Sequence, residues 1–249
     1  SGGADLLWHE LIGIEATTDI FFSPSHLGLI TAMVVILTSP LRAAWARHPA
    51  GSQPSMRALA PAVVSLGFAT SLVLLFLTYG NALVFGPRGI VESLSDRGSA
   101  DFLAASMVIT TVVLVAPLLL LARRWHVPRG AATITFALSA AISSVLTGFE
   151  NMRIVVAVEV AGVLVDALGA LLRPTAERRT AFWLFGALAP VLTWAVYLMV
   201  ASATYGRLPT VTEFWTGMPL VAGLVGWLLA ALMLPDRRVR AAAAPEGMA

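Results

Sequence analysis

Apolar residues run along this chain in long unbroken blocks, parted by short polar punctuation. Seven blocks, near 25–45, 58–82, 102–122, 130–149, 153–172, 180–203 and 214–234, have about the 20 residues that a helix needs to span a bilayer. Apolar positions within them are continuous and do not alternate with polar ones. That predicts membrane helices and excludes the strands of a barrel. "HPAGSQP" at 48–54, "GPRG" at 86–89, "VPRG" at 127–130, "LRPTAERR" at 172–179 and "YGRLP" at 205–209 read as turns. The connection over 82–101 is the longest. The predicted fold is therefore all-α, a polytopic integral membrane protein of about seven transmembrane helices.

Composition supports this. Of 249 residues, 58% are hydrophobic and 12% charged, and the mean hydropathy is +0.84. A soluble domain carries roughly a quarter charged residues, so this chain cannot cover itself with a polar surface and its main partner is the lipid bilayer. The sequence pI near 9.7 reflects a net charge of only +2. All sixteen basic residues are arginine, in short clusters between apolar blocks. That is a topology signal, and no nucleic-acid partner is expected. The absence of cysteine excludes disulfides and thiolate chemistry.

The arginines alternate. Arg42, Arg47 and Arg57, then Arg123, Arg124 and Arg129, then Arg173, Arg178 and Arg179, then Arg237, Arg238 and Arg240 fall on one side of the predicted topology. Only Arg88, Arg97, Arg153 and Arg207 fall on the other. The positive-inside rule then puts the C-terminus in the cytoplasm and the N-terminus outside, in the inner (plasma) membrane. Asp5, Glu10, Glu15, Asp19, Glu92, Asp96, Asp101, Glu150 and Glu213 all fall outside. Residues 1–24 read as an extracytoplasmic interfacial segment, 25–234 as a seven-helix bundle and 235–249 as a disordered cytoplasmic tail. The chain opens "SGGADLL" with no start methionine, so a cleaved signal peptide or a leading helix is expected ahead of it, or else a short tail carried across by the first span.

Candidate chemistry gathers in "DLLWHELIGIEATTDIFFSPSH", residues 5–26. Asp5 and His9 are four apart and share a face if helical. Leu6, Leu7, Leu11, Ile12 and Ile14 suit a short helix at the membrane surface, with Trp8 as an interfacial anchor. Ser23 and Pro24 read as the N-cap and first turn of span one, which puts His26 in that turn. One carboxylate and two imidazoles make a plausible set for copper, zinc or iron, with a coordination position left open. Glu10, Glu15 and Asp19 are candidate extra ligands or partners that fix the histidine tautomers. The plainer alternative is an ordinary polar interface, with Asp5 favourably placed near a helix start.

"DLLWH" followed by "FFSPSHLGL" resembles the C subunit of the copper membrane monooxygenases, the particulate methane and ammonia monooxygenase family. There an Asp and a His four apart, with Trp before the His, precede a Ser/Thr-Pro-Ser-His that opens the next membrane helix. The resemblance implies copper on Asp5, His9 and His26, with Trp8, Pro24 and Ser25 as context. It covers residues 5–26 only. The two histidines stand farther apart here than in that family. Its further Asn/His/His cluster has no counterpart, since the remaining histidines, His48 and His126, lie in arginine-rich connections.

Inside the blocks, Glu159 and Asp166 are seven apart and expected to face the bundle interior or water, as an intramembrane relay or pocket. Asn81 is expected near the outer interface. No G-x-S-x-G elbow, phosphate loop or dinucleotide fingerprint occurs, and without lysine no retinal Schiff base can form. Three functions stay open. The first is a metal-binding protein, copper foremost, related to or part of a membrane monooxygenase complex that oxidises a small apolar substrate with electrons from a partner. The second is a metal- or proton-coupled transporter or metal-handling factor. The third is a non-catalytic subunit packed against other membrane subunits. Whether the chain is itself an enzyme is left open.

Overall fold

The structure is a computed structural model that describes residues 2–13 and 23–234, without the side chains of Ala4, Asp5 and Ile12. Glu15, Asp19 and the tail 235–249 lie outside the described residues. The described elements are all helical. A short helix α1 (Gly2–Ile12) precedes α2 (Pro24–Leu37), and α3 (Ser39–Arg47) follows almost directly. Pro40 explains the break between α2 and α3, because proline offers no amide and restricts the residue before it. Arg42 N still donates to Thr38 O, so the pair runs on as one bent rod.

Then come α4 (Met56–Phe76), α5 (Pro87–Ser93), α6 (Arg97–Arg124), α7 (Ala131–Val145), α8 (Met152–Leu172), α9 (Arg179–Tyr205) and α10 (Thr212–Met233). Among the described residues six stretches are long and apolar enough to cross a membrane: 24–47, α4, α6, α8, α9 and α10. The chain is a multi-pass membrane protein by these lengths and hydropathies.

The fourth block, 130–149, differs from the expectation. Helix α7 has 15 residues, so it rises about 22 Å where the hydrocarbon core is about 30 Å. Its start is delayed by Pro128 and by Gly130, which sits at φ 97°. Its end comes early, in a turn with Gly148 at φ 60° and Phe149 at φ 67°.

Helix α6 lies against α4, α9 and α10, while α7 packs between α4 and α8, and α8 between α7 and α9. The core includes Leu74, Leu103, Met107, Phe136, Trp194 and Tyr197, each at most 1% exposed. Small residues set the closest crossing. A Cβ on Gly186 would stand 2.7 Å from Gly226 O, so α9 and α10 meet backbone to backbone there.

The connection over 82–101 is not a surface loop. After α4, residues 78–80 and 82–84 form two 3₁₀ turns in which Gly80, Asn81, Ala82 and Leu83 are buried, and α5 climbs back toward the surface. Buried irregular backbone must have its polar groups met by protein. Thr110 Oγ1 donates to Gly80 O (3.2 Å) and accepts from Ala82 N (2.9 Å). Tyr197 OH donates to Ala82 O (2.6 Å), and Asn151 Nδ2 to Leu83 O (2.6 Å).

The arginine-rich connections meet at one end of the bundle. Gly51 N donates to Arg124 O, His126 N to Ser52 O, and Arg179 Nη2 to Leu234 O. Arg124 also stacks on Trp45 and bonds the Trp45 and His48 carbonyls. At the other end the acidic connections meet, with Thr210 bonded to Ser95 and Tyr205 to Glu92.

Candidate metal centre

Helix α2 begins at the end opposite the arginine-rich connections, and α1 packs on it. Ser23 is its N-cap, as the "SPSH" pattern predicts: extended backbone (φ −67°, ψ 136°), Oγ accepting from His26 N (3.3 Å), and Pro24 following. The same Oγ stands 2.7 Å from His26 Nδ1 and 3.0 Å from Ser25 Oγ. Ser23 and Ser25 are buried, so one capping hydroxyl both starts the helix and holds the imidazole.

His9 lies in the last turn of α1, and its Nδ1 stands 3.3 Å from Gly13 O. A carbonyl only accepts, so this bond puts the proton on Nδ1 and the lone pair on Nε2. His26 has the same tautomer when Ser23 accepts from Nδ1 and donates on to Ser25. A second hydrogen bond that orients the ring in this way is the usual companion of a metal-binding imidazole.

The two rings are half-buried, 5.5 Å apart between centres and inclined at 71°. Two imidazoles bound at about 2.0–2.1 Å with bond angles of roughly 100–120° place their ring centres about 5 to 5.5 Å apart. The observed spacing falls in that range, and the inclination is that of an edge-to-face ring contact. Asp5 lies one turn before His9 on α1, but its side chain is outside the described residues. Glu10 is described and exposed. Among the described residues no group of three or more histidine and acidic side chains is gathered closely enough to hold an ion.

The intramembrane candidates fall in three different settings. Asp166 accepts from Ala132 N (3.1 Å), Thr133 N (2.9 Å) and Thr133 Oγ1 (2.6 Å). These are orphan donors at the start of the short α7, and a carboxylate there also complements the helix dipole. Asp166 borders a recess of about 360 Å³ that includes Gln53, His126, Arg129 and Arg173.

Of the two settings expected for Glu159, the bundle interior or water, the structure does not give it the first. It is exposed on the outward face of α8, two turns from Asp166. An ionised carboxylate facing hydrocarbon within a span is unfavourable, by up to about 2.5–3.5 kcal/mol at the span's centre.

Asn81 is fully buried in protein beside the last turns of α4 and α7, with Nδ2 donating to Leu74 O (3.3 Å) and Ser143 Oγ (2.9 Å) and Oδ1 accepting from Leu83 N (2.9 Å). It ties the buried connection to α4 and α7. Sequence reasoning missed the polar partners of the adjoining backbone, Thr110 and Tyr197. Their periodicity is that of ordinary apolar spans, and only the buried backbone at 80–83 gives them a purpose.

At the acidic end, Glu92 accepts from Tyr205 OH (2.7 Å) and Arg88 Nε (2.9 Å). The Tyr205 bond first, and then Arg88, hold its carboxyl below the usual carboxylate range. Comparison with protein-family models, curated proteins and solved structures finds no match to this chain.

Proposed function

We propose that this chain is a membrane protein that binds a transition-metal ion, copper foremost, at its extracytoplasmic surface through Asp5, His9 and His26. We further propose that it serves in, or is related to, a membrane monooxygenase complex acting on a small apolar substrate. The observation that carries this reading is the His9–His26 pair, with ring centres 5.5 Å apart and each Nδ1 held by an oxygen. The "DLLWH" and "SPSH" resemblance supplies copper and the third ligand. Zinc and iron accept the same donors.

Such an ion would supply one-electron chemistry with dioxygen, at a depth where an apolar substrate can arrive from lipid. This chain's residues fix the site around it. Ser23 orients His26, Gly13 O orients His9, and the Asp5 carboxylate offsets cationic charge. The arginine distribution supports an extracytoplasmic site, since the arginine-rich end would face the cytoplasm. Transport with Glu159 and Asp166 as a relay is less well supported, because one faces outward and the other caps α7.

The test is metal content and copper spectroscopy on the detergent-purified protein, for the native chain and for His9→Ala, His26→Ala and the double variant. A site of this kind gives about one ion per chain. With copper it also gives a signal coupled to two nitrogens, with one in each single variant and none in the double. An ion retained undiminished by the double variant refutes the assignment.

A further inference from the structure

Helix α8 packs on α7 and α9 and turns its remaining face outward. That face is what lipid prefers: Val156 is 53% exposed, Val160 47%, Val163 55% and Leu171 78%. Glu159 lies in its middle and is also exposed. It is the eighth residue of a 21-residue helix, so it stands about 10 Å along the axis from the helix start. A two-methylene stem is too short to lift the carboxylate back to the interface, as long arginine or lysine stems can. Among the described residues no side chain donates to this carboxylate or pairs with it.

We propose that the outward face of α8 is the docking surface for a transmembrane helix of a different protein, one with a lysine or arginine at the depth of Glu159. The argument is charge complementarity. An exposed carboxyl among exposed valines is matched by a cation at the same depth on an otherwise apolar helix, and the valines offer that helix an apolar face to lie on. A second copy of this chain does not fit. Its sixteen lysine and arginine residues are all arginines, and among the described residues none lies in the middle of a long apolar helix. Two copies meeting on α8 would also oppose two Glu159 carboxylates. The partner therefore brings a mid-span cation of its own, and the Glu159 pairing fixes its register and depth.

The experiment places a photo-crosslinking residue at Val156 or Val163 of the full chain in its native membrane, with and without Glu159→Gln. The expected result is one adduct at both positions, to one other membrane protein, through an apolar peptide that contains a lysine or arginine. Glu159→Gln lowers its yield by about tenfold or more. Glu159→Lys abolishes it, and replacing the partner's cation with glutamate restores it. An adduct to a second copy, adducts to lipid alone, or a yield indifferent to Glu159→Gln each overturns the proposal. Unchanged melting and metal content of the Glu159→Gln protein separate this outcome from any failure of the His9/His26 site.

Discussion

Replacing Asp166 with alanine should loosen the start of α7 and with it the α4–α7–α8 layer. The carboxylate accepts three hydrogen bonds, at 3.1, 2.9 and 2.6 Å, two from backbone amides that begin a helix. Bonds to a charged acceptor contribute about 1.5–3 kcal/mol each where water cannot substitute. Asp166 is half-buried beside an open recess, so water can replace part of that. Loss of a helix cap alone spans about 0.5–2 kcal/mol. These bounds put Asp166→Ala near 2–3 kcal/mol. A chain of this size shifts its Tm by about 2–4 °C per kcal/mol, so a drop of roughly 4–12 °C is expected in detergent. Asp166→Asn keeps one acceptor oxygen but loses the charge, and should fall between alanine and the native chain. Hydrogen exchange at the Ala132 and Thr133 amides should rise in the same order, while amides at the far end of α7 change less. An alanine variant that melts within about 1 °C of the native protein, with both amides still protected, would refute this account of why α7 can be short.

Other consequences are as direct. Gly226→Val should destabilise or misassemble the α9–α10 pair, by about 1–3 kcal/mol or more, because its Cβ would meet Pro190 Cγ at 2.9 Å and the Gly186 carbonyl. Gly217→Ala on the same helix, where a Cβ meets nothing within 4 Å, should leave the melting temperature unchanged or slightly raised. Ser23→Ala removes both the α2 cap and the oxygen beside His26 Nδ1, so metal titration should show affinity weakened about 10- to 100-fold. Unaltered affinity in that variant would separate the serine from the site. The depressed Glu92 carboxyl stabilises the fold above the unfolded-state value, roughly 4.3, and that contribution disappears as pH falls through it toward the lower folded value. Melting from pH 7 down to about pH 3 should therefore fall more steeply for the native chain than for Glu92→Gln, and equal slopes would count against the Tyr205–Glu92–Arg88 tie.

By itself the sequence determined the features that depend on composition and local pattern. Continuous apolar blocks demand helices, because in lipid each backbone group must bond within its own segment. "SPSH" determined the start of α2, because Ser23 and Pro24 act within a single turn. The arginine alternation survives as a physical separation, with arginine-rich connections tied together at one end and acidic ones at the other.

Tertiary structure alone decided the fate of the polar groups within the bundle. Asp166 and Glu159 are two turns apart on one helix and look alike in the sequence. A neighbouring helix begins beside the first and offers it bare amides, while the second is left exposed on the outward face. Nothing local reveals that Asn81 is buried, because its partners on α4 and α7 come from the folding of the chain after α4. Hydropathy depends on neighbours in sequence. The partners of a buried polar atom depend on which helix ends arrive beside it, and that is set only when the bundle packs.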